Sequence, residues 1–251
     1  MFYFDKINNK KILKSNYLDD TNAKHFFTTR ETVVVPKEQT ELYELCNKNF
    51  DEIASFLQIK KENIIIPVQT HSDNVKIATK GKYYPDTDAL ILDNTDVAVL
   101  MNFADCVPII LYDNIQNIGA VVHAGWRGTA KSIAKKTVKV MIDIYKSNPK
   151  DITALIGPAI SIKNFEVDNN VYTLLKSTLK SDYDDIFVFD EIKQKYHIDL
   201  KTINQHQLEE LGLLQIDKCS YCTYDSVDVF FSYRKELGKT ARHSAILRLM
   251  K

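Results

Sequence analysis

Two apolar runs limit what this chain can become. VPIILYD (107–113) and IGAVVHAG (118–125) are separated only by NIQN. Short continuous apolar runs bounded by turn residues read as buried strands. A thiol, Cys106, precedes the first, and an imidazole, His123, stands near the end of the second. GWRG follows, with the only tryptophan of the chain, and the period then changes. Ala130, Ile133, Ala134, Val138, Met141, Ile142 and Tyr145 recur at three and four residues, which predicts one amphipathic helix running on from Gly128.

Elsewhere FYFDKI, KHFFTTR and VVVPKE read as short strand-like pieces. ELYELCNKNFDEIASFLQI has helical spacing through Leu42, Leu45, Phe50, Ile53 and Leu57. IIIPVQTHSDNVKIAT reads as a strand, a turn at SDN and a second strand. DTDALIL and DVAVLMNF are predicted strands, and ITALIGPAI is a strand stopped by Gly-Pro. DNNVYTLLKSTL predicts a helix capped by Asp168, and Asp199 caps another that ends near Gly212. DVFFSYR and ARHSAILRLM read as closing strands. This irregular alternation predicts an α/β fold of mixed, α+β-like character with layered mixed sheets. No linker divides the chain, so residues 1–251 are expected to form a single domain.

The 33 basic and 33 acidic residues give a formal net charge of +0, which argues against a nucleic-acid partner. No apolar run has the length of a membrane span, and the N-terminus is too charged for a signal peptide. The 4 cysteines are then expected to be reduced thiols in the cytoplasm.

His71 in QTHSDNV, Cys106 in ADCVP and His123 in HAGWRG each lie at or beside a predicted strand end. Neighbouring strands can bring such ends together. Two imidazoles and a thiolate suit Zn²⁺, and three protein ligands leave a fourth position for water or substrate. The set also suits copper. Spacing leaves two other readings open. Cys106 and His123 fit the nucleophile and base of a cysteine hydrolase or amidase. They equally fit a small buried hydrophobe and a hydrogen-bonded histidine with no chemistry.

GWRGTAKSI places Arg127 at a strand-to-helix turn whose free N–H groups suit an anion, although an ordinary loop with an exposed arginine reads the same way. Arg234 and Arg242 flank the glycine of FFSYRKELGKTAR, a predicted hairpin that either meets an anionic ligand or is simply solvated. Asp105 orients a ligand, exchanges protons or caps a turn. Asp86 and Asp88 in PDTDAL point into the same mouth or serve as turn residues. Cys219 and Cys222 make a lone C-x-x-C, weak support for structural zinc, and stay outside the site.

QTHSDNV, DTDALI, ADCVPIILYD, GAVVHAGWRGT, IGPAI and FFSYR…TAR, in this order, together resemble the laccase-domain, or polyphenol oxidoreductase, family. Its members are understood as purine nucleoside phosphorylases. The resemblance implies sheets layered between helices and a catalytic Zn²⁺ held by His71, Cys106 and His123, with Cu²⁺ as the alternative metal. It implies phosphorolysis of adenosine, inosine, guanosine and S-methyl-5'-thioadenosine to base and ribose 1-phosphate. Deamination of adenosine to inosine is implied as well, with Asp105 moving the proton. Arg30, Gln69, Arg127, Arg234 and Arg242 are the residues expected to meet nucleoside and phosphate. A homodimer is compatible with the resemblance, and a non-catalytic protein retaining the fold is the reading it disfavours.

The literal sense of the family name meets an obstacle. A multicopper laccase needs roughly ten imidazoles, and this chain has 6 His. It also departs from the family in three places. RETVVVPKEQT replaces a glycine-rich stretch after FTTR, Arg234-Lys235 replaces a pair of arginines, and Thr240-Ala241-Arg242 replaces TGR. Lysine keeps the charge but not the bidentate fork.

Overall fold

Val107–Asp113 and Ile118–Ala124 pair antiparallel along their whole length, from Val107 opposite Ala124 to Asp113 opposite Ile118. Their continuous apolar character has a direct cause, because both faces are covered. Val107, Ile109, Leu111, Ala120, Val122 and Ala124 pack against helices. Ile110, Tyr112 and Val121 point the other way, onto a second sheet. All nine are fully buried, and full burial of one large aliphatic side chain stabilises by about 1.5–3 kcal/mol.

The computed structural model describes residues 1–35, 42–181, 183 and 185–251. The central hairpin belongs to a six-stranded sheet ordered Gln215–Lys218, Ile152–Ile156, Val107–Asp113, Ile118–Ala124, Ala89–Leu92, Val75–Ile77. A second six-stranded sheet is ordered Phe2–Ile7, Lys10–Ser15, Ala23–Thr28, His243–Leu249, Ala98–Phe103, Ile64–Ile65. Each sheet mixes antiparallel with parallel pairs. Helices Ile133–Tyr145, Asn169–Lys176 and Leu200–Glu209 cover the outer face of the first sheet. Leu42–Leu57 covers the second, setting Ile53 and Leu57 against Ile12, Phe26, Leu100 and Ile246. The expected mixed α/β architecture of sheets layered between helices is therefore present. A three-stranded sheet of Glu166–Val167, Lys195–Ile198 and Phe187–Asp190 stands beside these layers. Among the described residues no helix is long and apolar enough to cross a membrane.

Several local expectations are corrected. The helix predicted from Gly128 is two helices, Trp126–Ala130 and Ile133–Tyr145, broken at Ser132 with φ 56°. Tertiary contacts hold the first piece: Asn204 Nδ2 donates to Thr129 Oγ1 and Gln207 Nε2 to the Thr129 carbonyl. In Leu42–Leu57, Leu45 is exposed and Cys46 takes the inward place beside Val33, Phe231 and Ala241. That helix's predicted first residue, Glu41, lies outside the described residues, as does the second half of VVVPKE; of the first half only Val35 forms a bridge, to Arg242.

The turn at SDN is a longer loop over residues 66–74. DVFFSYR is not a strand, nor is its continuation a hairpin. Glu236 instead gathers a compact loop, accepting from Ser232 N and Thr240 Oγ1 while pairing with Arg30. Asp199 caps its helix through Thr202 N, as expected. Asp168 occupies the cap position without a cap bond and pairs with Lys195. Lys10–Ser15 and Gln215–Lys218 are not legible as strands because charged residues interrupt their apolar pattern, and the short run FVFD of Phe187–Asp190 also goes unread.

Candidate metal and substrate site

Period-two alternation puts His123 on the same face as Val121, between the two large sheets, at the rim where its strand ends. Cys106 precedes the paired strand directly. His71 comes from the loop ahead of Val75–Ile77, and its ring stands 4.9 Å, centroid to centroid, from that of His123. One donor atom from each of His71, Cys106 and His123 lies within 4.8 Å of the others. Gly125 permits this approach: a Cβ there would sit 2.9 Å from His71 Cδ2 and 3.0 Å from Cys106 Sγ.

Asp88 organises the set. Its fully buried carboxylate accepts from Ser72 N and Oγ and from His123 Nδ1, all at 2.7 Å. Thr70 N and His71 N donate to it at 3.2 Å. One carboxylate thus shapes the His71 loop and fixes the His123 tautomer, leaving Nε2 for the site. His71 and Asp105 have φ 62° and 83°, left-handed conformations that are costly for non-glycine residues, of order 1 kcal/mol or more each. They persist because buried hydrogen bonds determine the loops around them.

Burial alone would raise the Asp88 pKa, but the bonds from His123 and Ser72 outweigh it and bring it to about 2. Burial would also raise Cys106, yet the charge of His123 and the two imidazole hydrogen bonds hold that thiol at about 6. His123 moves oppositely: burial opposes its charge, and Cys106 and Asp88 lift it to about 9. The metal-free site is therefore a thiolate beside an imidazolium. A thiolate and two imidazoles, one with a carboxylate behind it, fit the donor set and supporting shell of a zinc ion.

These groups open into a cavity of ≈ 610 Å³ that Gln69, Asn102, Asp105, Phe165, Tyr233, Arg234 and Arg242 also line. Gln69 is tied down, donating to the Asn102 carbonyl and accepting from Asn102 N. Asp105 accepts from Thr223 Oγ1 and Arg234 N, one on each oxygen. Arg234 rests on the Glu166 carbonyl at 3.2 Å, and Arg242 on the Thr240 carbonyl at 2.6 Å.

Two expected substrate arginines are elsewhere. Arg127 is exposed and stacks on Trp126, because the turn after Gly125 sends its side chain outward. Arg30 is spent on Glu236, 2.8 Å away, and on the Phe230 carbonyl. It braces the loop that carries Arg234 and Arg242. Lys235 stacks on Tyr224 and does not line the cavity. Asn102 and Phe165 carry no motif signal, and Tyr233 lies within FFSYR, where the arginine beside it is the residue expected to meet substrate. Asp88 was visible only as half of an ambiguous D-x-D.

With this geometry in place, comparison with known proteins defines the class. The family model for multi-copper polyphenol oxidoreductase laccase matches residues 24–250, and the chain belongs to that family. Purine nucleoside phosphorylase YlmD of Bacillus subtilis is 34% identical over 207 residues, covering 78% of this chain and 74% of its own. A purine nucleoside phosphorylase of Bacteroides thetaiotaomicron is 33% identical over 193 residues, covering 72% and 71%. The crystal structure of YlmD from Geobacillus stearothermophilus superposes with TM-score 0.88 at 26% identity, covering 99% of both chains. Among the described residues, His71 and His123 are the histidines that meet Cys106 in the site.

Proposed function

We propose that the chain is a purine nucleoside phosphorylase that binds Zn²⁺ through His71, Cys106 and His123. The convergence of this donor set with two guanidinium groups in one cavity carries the reading, and the names of the relatives support it. When bound, Zn²⁺ would supply Lewis-acid chemistry toward a substrate oxygen. Arg234 and Arg242 hold phosphate for attack on C1′ of the ribose, and positioning is their contribution. Phe165 and Tyr233 offer flat surfaces to the purine. Asp88 keeps Nε2 of His123 directed into the site. Asp105 holds Arg234 beside Cys106 and is the carboxylate we assign to proton transfer in adenosine deamination. Adenosine, inosine, guanosine and S-methyl-5'-thioadenosine are the proposed substrates.

The test is metal analysis combined with product identification from adenosine, with and without phosphate. Adenine formed only with phosphate marks phosphorolysis, and inosine formed without it marks deamination. Arg242→Ala is expected to raise the KM for phosphate more than that for nucleoside. Cys106→Ala should lose both metal and turnover, and full phosphorolysis by a zinc-free Cys106→Ala protein refutes the metal assignment. One observation favours a second reading: Cys106, His123 and Asp88 also line up as nucleophile, base and orienting acid. A cysteine hydrolase would keep its activity after chelation and lose it to alkylation.

A further inference from the structure

The three-stranded sheet carries a second set of metal-ligating side chains, outside the Cys106 site. Glu166 and His197 lie directly opposite each other in register, and Asp190 comes from the end of the third strand. One donor atom from each lies within 4.8 Å of the others. His197 Nε2 is 3.8 Å from Glu166 Oε2 and 4.0 Å from Asp190 Oδ2. These separations are too long for hydrogen bonds. They are a few tenths of an ångström wider than the edge of about 3.4 Å between two ligands on one tetrahedral ion.

A contact outside the trio points the same way. His197 Nδ1 donates to the Ile162 carbonyl at 3.1 Å. His197 Nε2 is thereby left facing the two carboxylates with a hydrogen bond to neither. A backbone carbonyl on the far nitrogen is also a regular support of metal-bound histidine. Asp190 is prepared similarly: Oδ1 accepts from Ile192 N and Lys193 N, leaving Oδ2 toward His197. The Lys193 ammonium stands 2.7 Å from Glu166 Oε2, on a side chain that is 58% exposed.

We propose that Glu166, Asp190 and His197 bind a divalent first-row transition cation, displacing Lys193. One imidazole and two carboxylates make a harder donor set than that of Cys106. Occupancy reaches the cavity through the backbone, because the Glu166 carbonyl accepts from both terminal nitrogens of Arg234 and Phe165 lines the wall. This inference stands whether or not the chain is a phosphorylase.

The test uses the full chain with its Cys106 site first filled by Zn²⁺, then titrated with Co²⁺ by calorimetry and absorption. One further equivalent is expected, giving weak d–d bands without sulfur-to-cobalt charge transfer. Asp190→Asn, which keeps the Oδ1 acceptor of its turn, and His197→Gln should each weaken that equivalent by about tenfold or more. Lys193→Met should tighten it by removing the competing cation. Absence of a further equivalent, Co²⁺ appearing only at sulfur, or binding indifferent to Asp190→Asn and Lys193→Met overturns the proposal.

Discussion

Replacing Asp88 by asparagine changes almost no volume but reverses the polarity of one oxygen. Five donors now converge on that carboxylate: Thr70 N, His71 N, Ser72 N, Ser72 Oγ and His123 Nδ1. If the new amide nitrogen faces Ser72, up to three donors lose their acceptor. If it faces His123, the His71 N–H loses its acceptor and the imidazole must adopt the other tautomer. Its proton then sits on Nε2, the atom needed for coordination. Each buried donor left unpaired costs about 1–3 kcal/mol, so the cheaper orientation, with one donor unpaired, sets a lower expectation of about 1 kcal/mol. In a chain of this size that lowers Tm by about 2–4 °C. Disturbed support of a metal-bound histidine weakens the metal by about 10–100-fold. Competition against a chelator at neutral pH measures the second effect, and a thermal melt of the metal-free protein measures the first. Zinc affinity within about threefold of the parent, a change below the range for a lost hydrogen bond to a metal-bound histidine, would refute Asp88 as the residue that fixes His123.

Three further outcomes follow from the same geometry. Gly125→Ala should abolish stoichiometric zinc while leaving the fold intact, since the nearest atoms its Cβ would meet belong to His71 and Cys106. Alkylation of chelator-treated protein should be selective for Cys106 and follow a pKa of about 6, whereas burial raises Cys46, and burial pushes Cys219 up to about 11; uniform labelling would contradict the thiolate–imidazolium pair. Burial lowers His25 to about 4 and His243 to about 3, so the fold holds both neutral while the unfolded chain takes up protons from about 6.5 downward. Stability is full above that pH and falls as pH drops toward those values, by about 3 kcal/mol from His25 alone. Urea midpoints should show this slope, and His25→Gln should flatten it.

The hairpin 107–124 was readable because both of its faces are buried, and uninterrupted hydrophobicity is a local signal. The same holds for Ile133–Tyr145, whose inward stripe repeats on one helix. Leu45 was misplaced because its helix meets Val33, Phe231 and Ala241 from distant segments, which chose Cys46 instead. The break at Ser132 has no local marker. It depends on Asn204 and Gln207, more than seventy residues away, reaching Thr129. Among the arginines, sequence reading gave Arg30, Arg127, Arg234 and Arg242 the same standing. Only the pairing of Arg30 with Glu236 and the outward stacking of Arg127 separate them.

By itself, then, the sequence determined the donor atoms and the scaffold that carries them: a thiol before one buried strand, an imidazole at the end of its partner, and alternation that points His123 between the sheets. Tertiary structure decided the rest. It made Asp88 the anchor of both histidines, brought Arg234 and Arg242 to the cavity, and gathered Glu166, Asp190 and His197 on one small sheet. The reason is physical. Backbone period is fixed residue by residue, whereas tautomer, charge state and convergence depend on which distant groups packing brings within hydrogen-bond reach.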